Sequence, residues 1–135
     1  MPEARLLFVE DNKEDRTLTL LAFEDQRLPF RVDIARDGEE AWKYLKALGE
    51  PVPLAGIILD LNIPKLSGLE VLKRLRARKA LAGLPVVVLT SSDDPKDVST
   101  ADALGVSAYI IKPLDYGGLE RVVARLKKIF GRPRS

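Results

Sequence analysis

The sequence predicts an α/β domain, a doubly wound parallel sheet with helices on both faces. Two observations carry that expectation. Five short apolar runs alternate along the chain with five segments of helical periodicity, and strands alternating with helices build a parallel sheet covered on both sides. The third run, Gly56-Ile57-Ile58-Leu59, is apolar without alternation and stops abruptly at Asp60, as a strand buried on both faces does. The length agrees, since 135 residues suit one domain with one core.

Each element has its own signal. Residues 5–9 form the first strand, ended by Glu10-Asp11-Asn12. A helix is predicted over 13–25, with Leu18, Leu21 and Ala22 on its inward face. Residues 30–35 alternate and give the second strand. Asp37 is the expected N-cap of the second helix, with Glu39 and Glu40 in the first turn, where the helix dipole favours acids. Ala41, Leu45 and Leu48 form its buried stripe. After a loop holding Pro51 and Pro53, residues 56–59 make the third strand. Ser67 is the expected N-cap of the third helix, with Glu70 at the capping-box position and Leu69, Leu72 and Leu75 inward. Residues 85–89 make the fourth strand. Asp94-Pro95 opens a short fourth helix, poor in apolar residues, with Val98, Ala101 and Leu104 inward and Gly105 as its stop. Residues 108–111 make the fifth strand. Leu119, Val122, Val123, Leu126, Ile129 and Phe130 give the fifth helix the clearest amphipathic pattern in the chain.

Composition narrows the chemistry. Hydrophobic residues make up 46% and charged residues 31%, with a net charge of +2. That balance is ordinary for a globular protein and gives no general attraction to nucleic acid. The basic tail Arg132-Pro133-Arg134 is expected to be solvated. With no cysteine and no histidine, disulfides, thiolate catalysis, Ser-His-Asp triads and sulfur- or imidazole-ligated metals are excluded. No apolar run approaches the ~18 residues of a membrane span, and Met1-Pro2-Glu3-Ala4-Arg5 lacks signal-peptide character. A cytoplasmic location with no membrane or nucleic-acid partner is the expectation.

What remains is oxygen and ammonium chemistry, and it collects at the strand ends. Strand 1 ends in Glu10-Asp11, strand 3 in Asp60, strand 4 in Thr90-Ser91-Ser92 and strand 5 in Lys112-Pro113. In an open α/β sheet these ends share one edge, where ligands bind. Two carboxylates about 4 Å apart repel by roughly 4 kcal/mol at an effective dielectric near 20. A cluster of three therefore shares protons or holds a cation, and oxygen-only ligands point to Mg²⁺, Mn²⁺ or Ca²⁺. Lys112 offers a point charge, and Thr90 a hydroxyl, for phosphate oxygens. The set fits an aspartate that accepts a phosphoryl group. Without a cation the acids should repel one another. Mg²⁺ is therefore expected to raise the melting temperature, and charge removal at Asp11 or Asp60 to stabilise the metal-free protein.

These residues carry a family resemblance. VEDN at 9–12, DLNIPKLSG at 60–68, LTSS at 89–92 and IIKP at 110–113 resemble, in spacing and order, the receiver domains of two-component response regulators. The resemblance covers Leu6 to about Phe130. It implies a flavodoxin-like five-stranded sheet in order 2-1-3-4-5 with five helices, and a single receiver domain over residues 1–135 with no output domain. It implies Asp60 as phosphoacceptor, and Asp11, Asp60 and the Asn62 carbonyl as Mg²⁺ ligands, with Glu10 acting through water. Thr90 and Lys112 would sense the phosphate, and Tyr109 is the aromatic whose rotamer follows Thr90. A phosphoryl group would draw Thr90 inward and vacate space for Tyr109. The Lys112–Pro113 bond is expected to be cis. The partners implied are a sensor histidine kinase, which must supply the phosphate because the chain has no histidine, and a downstream protein or a second copy met through helix 4, strand 5 and helix 5. The chemistry would be self-phosphorylation and autodephosphorylation rather than turnover. Glu10 stands where many receivers have Asp, and the proline-rich loop 49–54 is longer than in many relatives. Both features, with VEDN, resemble stand-alone regulators paired with phytochrome-type kinases, including bacteriophytochromes.

Other readings fit less well. Haloacid-dehalogenase-type phosphatases carry a second Asp two residues after the nucleophile, where this chain has Asn62. A flavodoxin-like nucleotide binder would need a Gly-rich loop after strand 1. A receiver that never takes phosphate would not keep Asp60, Thr90 and Lys112 together.

Overall fold

The computed structural model describes residues 4–131. The tail Arg132-Pro133-Arg134 and the first residues, Met1-Pro2-Glu3, lie outside that range. The elements are β1 (Arg5–Val9), α1 (Lys13–Asp25), β2 (Arg31–Ala35), α2 (Gly38–Lys46), β3 (Gly56–Leu59), α3 (Gly68–Ala77), β4 (Val86–Thr90), α4 (Pro95–Ala103), β5 (Ala108–Ile111) and α5 (Tyr116–Phe130). All strand pairs are parallel, in the order β2-β1-β3-β4-β5. The chain thus leaves β1 to one side for β2 and returns on its other side for β3. The carboxyl ends of β1 and β3 flank this switch point.

Alternation along the strands divides the core in two. Leu7, Val9, Ile57, Leu59, Val86 and Val88 pack with Ala41, Leu45, Leu72, Leu75 and Ala101 of α2, α3 and α4. Leu6, Phe8, Ile58, Val87 and Leu89 pack with Ala22, Phe23, Leu119, Val123 and Leu126 of α1 and α5. β3 and β4 are buried along their whole length, which explains their unbroken apolar sequences. Each fully buried Leu or Ile contributes roughly 1.5–3 kcal/mol. Among the described residues no helix is long and apolar enough to cross a membrane.

The caps follow the sequence. Asp37 accepts from the Glu40 N–H and Ser67 from the Glu70 N–H. Asp94 caps α4 with Pro95 in its first turn, and Gly105 takes the left-handed φ of 73° that ends it. Glu70 does not close the capping box, and its carboxylate meets Arg74 one turn on.

Three expectations fail. Leu18 and Leu21 are 48% and 46% exposed. The face of α1 that packs inward is set by Thr19, Ala22 and Phe23, because Phe23 packs, with its ring tilted, against Phe8 of β1 at 5.7 Å and turns the two leucines outward. Val98 of α4 is exposed too, leaving Ala101 as that helix's one buried residue. The Lys112–Pro113 peptide is trans, and among the described residues the cis peptide is Glu50–Pro51. Trans is the ordinary preference of X-Pro bonds, and here the Lys112 side chain reaches the site with that geometry.

Two glycines hold the β3–α3 loop against its neighbours. A Cβ on Gly68 would lie 2.3 Å from the Asp60 carbonyl oxygen, and one on Gly38 would lie 1.8 Å from the Leu66 carbonyl oxygen. The first turns of α2 and α3 therefore seat directly on the loop backbone, and Gly68 donates to the Leu61 carbonyl at 3.0 Å. Gly68→Ala should lower stability by about 1–3 kcal/mol and shift the amide resonances of Asp60 and Asn62. Urea unfolding checks it. A gain near the ~1 kcal/mol expected for an open helical glycine would contradict this packing.

Candidate functional site

Four strand ends deliver their polar residues to one edge of the sheet. The Asp60 N–H donates to the Val9 carbonyl at 3.1 Å, the Glu10 N–H to the Ala35 carbonyl at 3.0 Å and the Lys112 N–H to the Thr90 carbonyl at 2.8 Å. Ladder bonds thus continue one residue beyond the strands and fix where these side chains start. Glu10, Asp60 and Thr90 are buried, at 1%, 3% and 0% exposure. Asp11 is exposed. Arg16 braces the acidic pair from α1, donating to the carbonyls of Glu10 at 3.1 Å and Asp11 at 2.9 Å.

Lys112 sits at the centre. Its ammonium lies 2.7 Å from Glu10 Oε1, 2.8 Å from Asp15 Oδ2 and 2.8 Å from Asp60 Oδ2. The other Asp60 oxygen, Oδ1, accepts from the Thr90 hydroxyl at 2.8 Å and from the Asn62 N–H at 3.0 Å. The second Glu10 oxygen accepts from the Asn12 N–H at 3.2 Å. Every buried side-chain polar atom among the described residues has a partner.

The charges respond to this crowding. Burial raises the Glu10 carboxyl, its bond to Lys112 opposes the rise, and the Asp60 charge adds to it. The net effect lifts Glu10 from 4.5 to about 7. Burial alone would lower the Lys112 ammonium, but its hydrogen bonds to Asp15, Asp60 and Glu10 outweigh that, and Lys112 is held protonated above its ordinary 10.5. Carboxylate oxygens of Glu10, Asp11 and Asp60 also lie within 4.8 Å of one another. This hard-oxygen set, with neither nitrogen nor sulfur, fits a divalent cation such as Mg²⁺ or Mn²⁺.

The structure therefore gathers Glu10, Asp11, Asp60, Asn62, Thr90 and Lys112 at one place. Tyr109 does not join them. Its hydroxyl donates to the Ser92 carbonyl at 2.8 Å, and burial raises its phenol above the usual range. Thr90 stays with the acids, its hydroxyl on Asp60 Oδ1 at 2.8 Å. The expectation of bare repulsion is also amended, because Lys112 offsets the acids. Sequence reasoning missed Asp15 and Arg16, and it named Ser92 only as part of the strand 4 end, with no role of its own. Asp15 was legible in principle, three residues after the N-cap Asn12, whose side chain takes the Asp15 N–H at 2.8 Å.

Residues 6–124 match the response regulator receiver domain family, and the chain belongs to it. It is a phosphoacceptor domain of two-component signalling. It is 37% identical over 126 residues to FilR2 of Methanothrix harundinacea, covering 91% of this chain and 81% of that one. It is 34% identical over 133 residues to the response regulator Rcp1 of Synechocystis sp., covering 96% and 90%. The Mn²⁺-bound form of Rcp1 superposes with a TM-score of 0.83, over 96% of this chain and 94% of that one. The phosphorylated cyanobacterial phytochrome response regulator RcpA superposes with a TM-score of 0.86 at 33% identity, over 99% of this chain and all of that one.

Two measurements test the electrostatics. Glu10 binds its proton more tightly when folded, so the stability it contributes is present below pH 4.5 and is lost as pH rises through about 7. In EDTA the melting temperature should fall from pH 6 to pH 8, and Glu10→Gln should flatten the slope. An unchanged slope in that variant would show that Glu10 is not the titrating group. Lys112→Met should cost about 3–5 kcal/mol in EDTA, as removal of one partner from a buried ion pair does, and Mg²⁺ should restore part of the loss. A variant as stable as the parent in urea would contradict the bridging role.

Proposed function

We propose that Asp60 accepts a phosphoryl group from a phosphohistidine of a sensor kinase, and that the chain signals by protein contact. The observation that carries this is the Asp60 carboxylate itself. It is buried, held on one oxygen by Thr90 and Asn62 and on the other by Lys112, with Glu10 and Asp11 beside it. A carboxylate so fixed is oriented for in-line attack, and phosphoryl transfer depends mostly on positioning and charge neutralisation.

In the transfer an Asp60 oxygen attacks phosphorus, the P–N bond breaks, a P–O bond forms and the imidazole leaves. Lys112, held protonated, releases its bond to Asp60 and neutralises a phosphoryl oxygen. The Thr90 hydroxyl, already at Asp60, donates to another. Asp11, Asp60 and the Asn62 carbonyl would hold Mg²⁺, with Glu10 acting through water. Bound there, the ion supplies Lewis-acid neutralisation of phosphoryl charge. Mn²⁺ in Rcp1 supports a divalent ion at this site, and Ca²⁺ has the same ligand preference.

The likeness to the phytochrome response regulator RcpA supports a phytochrome-type kinase, including a bacteriophytochrome, as the donor. The face formed by α4, β5 and α5, with Val98 and Ile111 exposed, would meet a second copy or a downstream protein. Tyr109 acts there as the switch, moving with Thr90 between two arrangements.

Incubation with acetyl phosphate and Mg²⁺ should give one phosphoryl adduct by intact mass, and Asp60→Asn should abolish it. An adduct that persists in Asp60→Asn would place the chemistry elsewhere. Tyr109→Ala should keep the adduct but lose the phosphorylation-dependent change in partner affinity or dimerisation. Retention of that change would remove Tyr109 as the switch.

A further inference from the structure

Ser92 makes more structural connections than its place in a loop suggests. Its N–H points to the Thr90 hydroxyl oxygen at 3.4 Å, and its carbonyl accepts from the Tyr109 hydroxyl at 2.8 Å. Its own hydroxyl donates to Asp97 Oδ2, in the first turn of α4, at 2.6 Å and lies 3.4 Å from the Asp94 N–H at the cap of that helix. One residue therefore joins Asp60, through Thr90, both to the aromatic of β5 and to the start of α4. α4 needs such a tether, because Ala101 is its one buried residue. Its far end is tied separately, by Arg76, which donates to the carbonyls of Leu104 at 2.7 Å and Gly105 at 3.2 Å.

We infer that Ser92 is a positioning residue whose hydroxyl bond to Asp97 latches the first turn of α4 to the arrangement with Thr90 on Asp60 and Tyr109 on the Ser92 carbonyl. This rests on the proposed phosphoacceptor role of Asp60, and it adds a contact in α4 to the pair already assigned. The bond is short and ends on a carboxylate, so it belongs to the stronger class of neutral-to-charged hydrogen bonds. Binding of a phosphoryl group favours Thr90 at Asp60. By reciprocity, whatever stabilises that arrangement strengthens phosphoryl binding, and loss of the latch weakens it by lowering the competent population.

The probe is beryllium fluoride with Mg²⁺, titrated by NMR into the whole chain. Ser92→Ala and Asp97→Ala should each weaken binding by about tenfold, and the double variant no further, because both remove one bond. Asp97→Asn keeps an acceptor oxygen but loses the charge, and should bind between the parent and the alanine variants. Affinity unchanged or tightened in either alanine variant, or losses that add in the double variant, would overturn the latch. Hydrogen exchange of the α4 amides reads the same bond without the probe. It should be about tenfold faster in both alanine variants and intermediate in Asp97→Asn, and protection equal to the parent in all of them would again overturn it. A parent chain that binds no beryllium fluoride would count against the phosphoacceptor reading, while the exchange measurement would still decide the latch.

Discussion

The Lys112 ammonium is the interaction on which the rest of the site depends. It is the cation within 2.8 Å of Glu10, Asp15 and Asp60, and two of those carboxylates are nearly sealed from water. A buried carboxylate without a partner would take up a proton rather than remain charged. Lys112 gives the buried Asp60 carboxylate that partner, on Oδ2 at 2.8 Å. Glu10 shows the limit of that compensation. It shares the same ammonium, yet burial still lifts it to about 7.

The fold supplies this geometry with little freedom. Parallel pairing brings the ends of β1, β3, β4 and β5 to one edge, and the switch in strand order leaves the ends of β1 and β3 uncovered there. Gly68 and Gly38 then let two helices seat on the loop that follows Asp60. Core packing on both faces of β3 and β4 holds the carboxylate and the Thr90 hydroxyl in register. α4, with Ala101 as its one buried residue, is tied at its two ends by Ser92 and by Arg76.

The strand sequence, the caps at Asp37, Ser67 and Asp94, and the convergence of Glu10, Asp11, Asp60, Thr90 and Lys112 were legible because each follows from a local pattern or from topology. Failures came where tertiary packing overrode local pattern. Leu18 and Leu21 share a helical face with Ala22, but the Phe23–Phe8 contact decides which face turns inward. Ser92 carries no marker beyond being a polar residue near a strand end, and Asp15 only its place three residues after the N-cap Asn12. Their roles depend on where one lysine and one helix turn land, which the spacing of residues in the chain does not specify.

The ionisation of Lys112 is the direct test of the account. Selective observation of its side chain by carbon and nitrogen NMR, as pH is raised in EDTA, reports whether the ammonium is held by the three carboxylates. The resonances should remain those of a protonated amine as pH passes 10.5, the ordinary lysine value, and Asp60→Asn should move the transition downward. A Lys112 that titrates at or below 10.5 in the parent chain would mean that it does not bridge the acids.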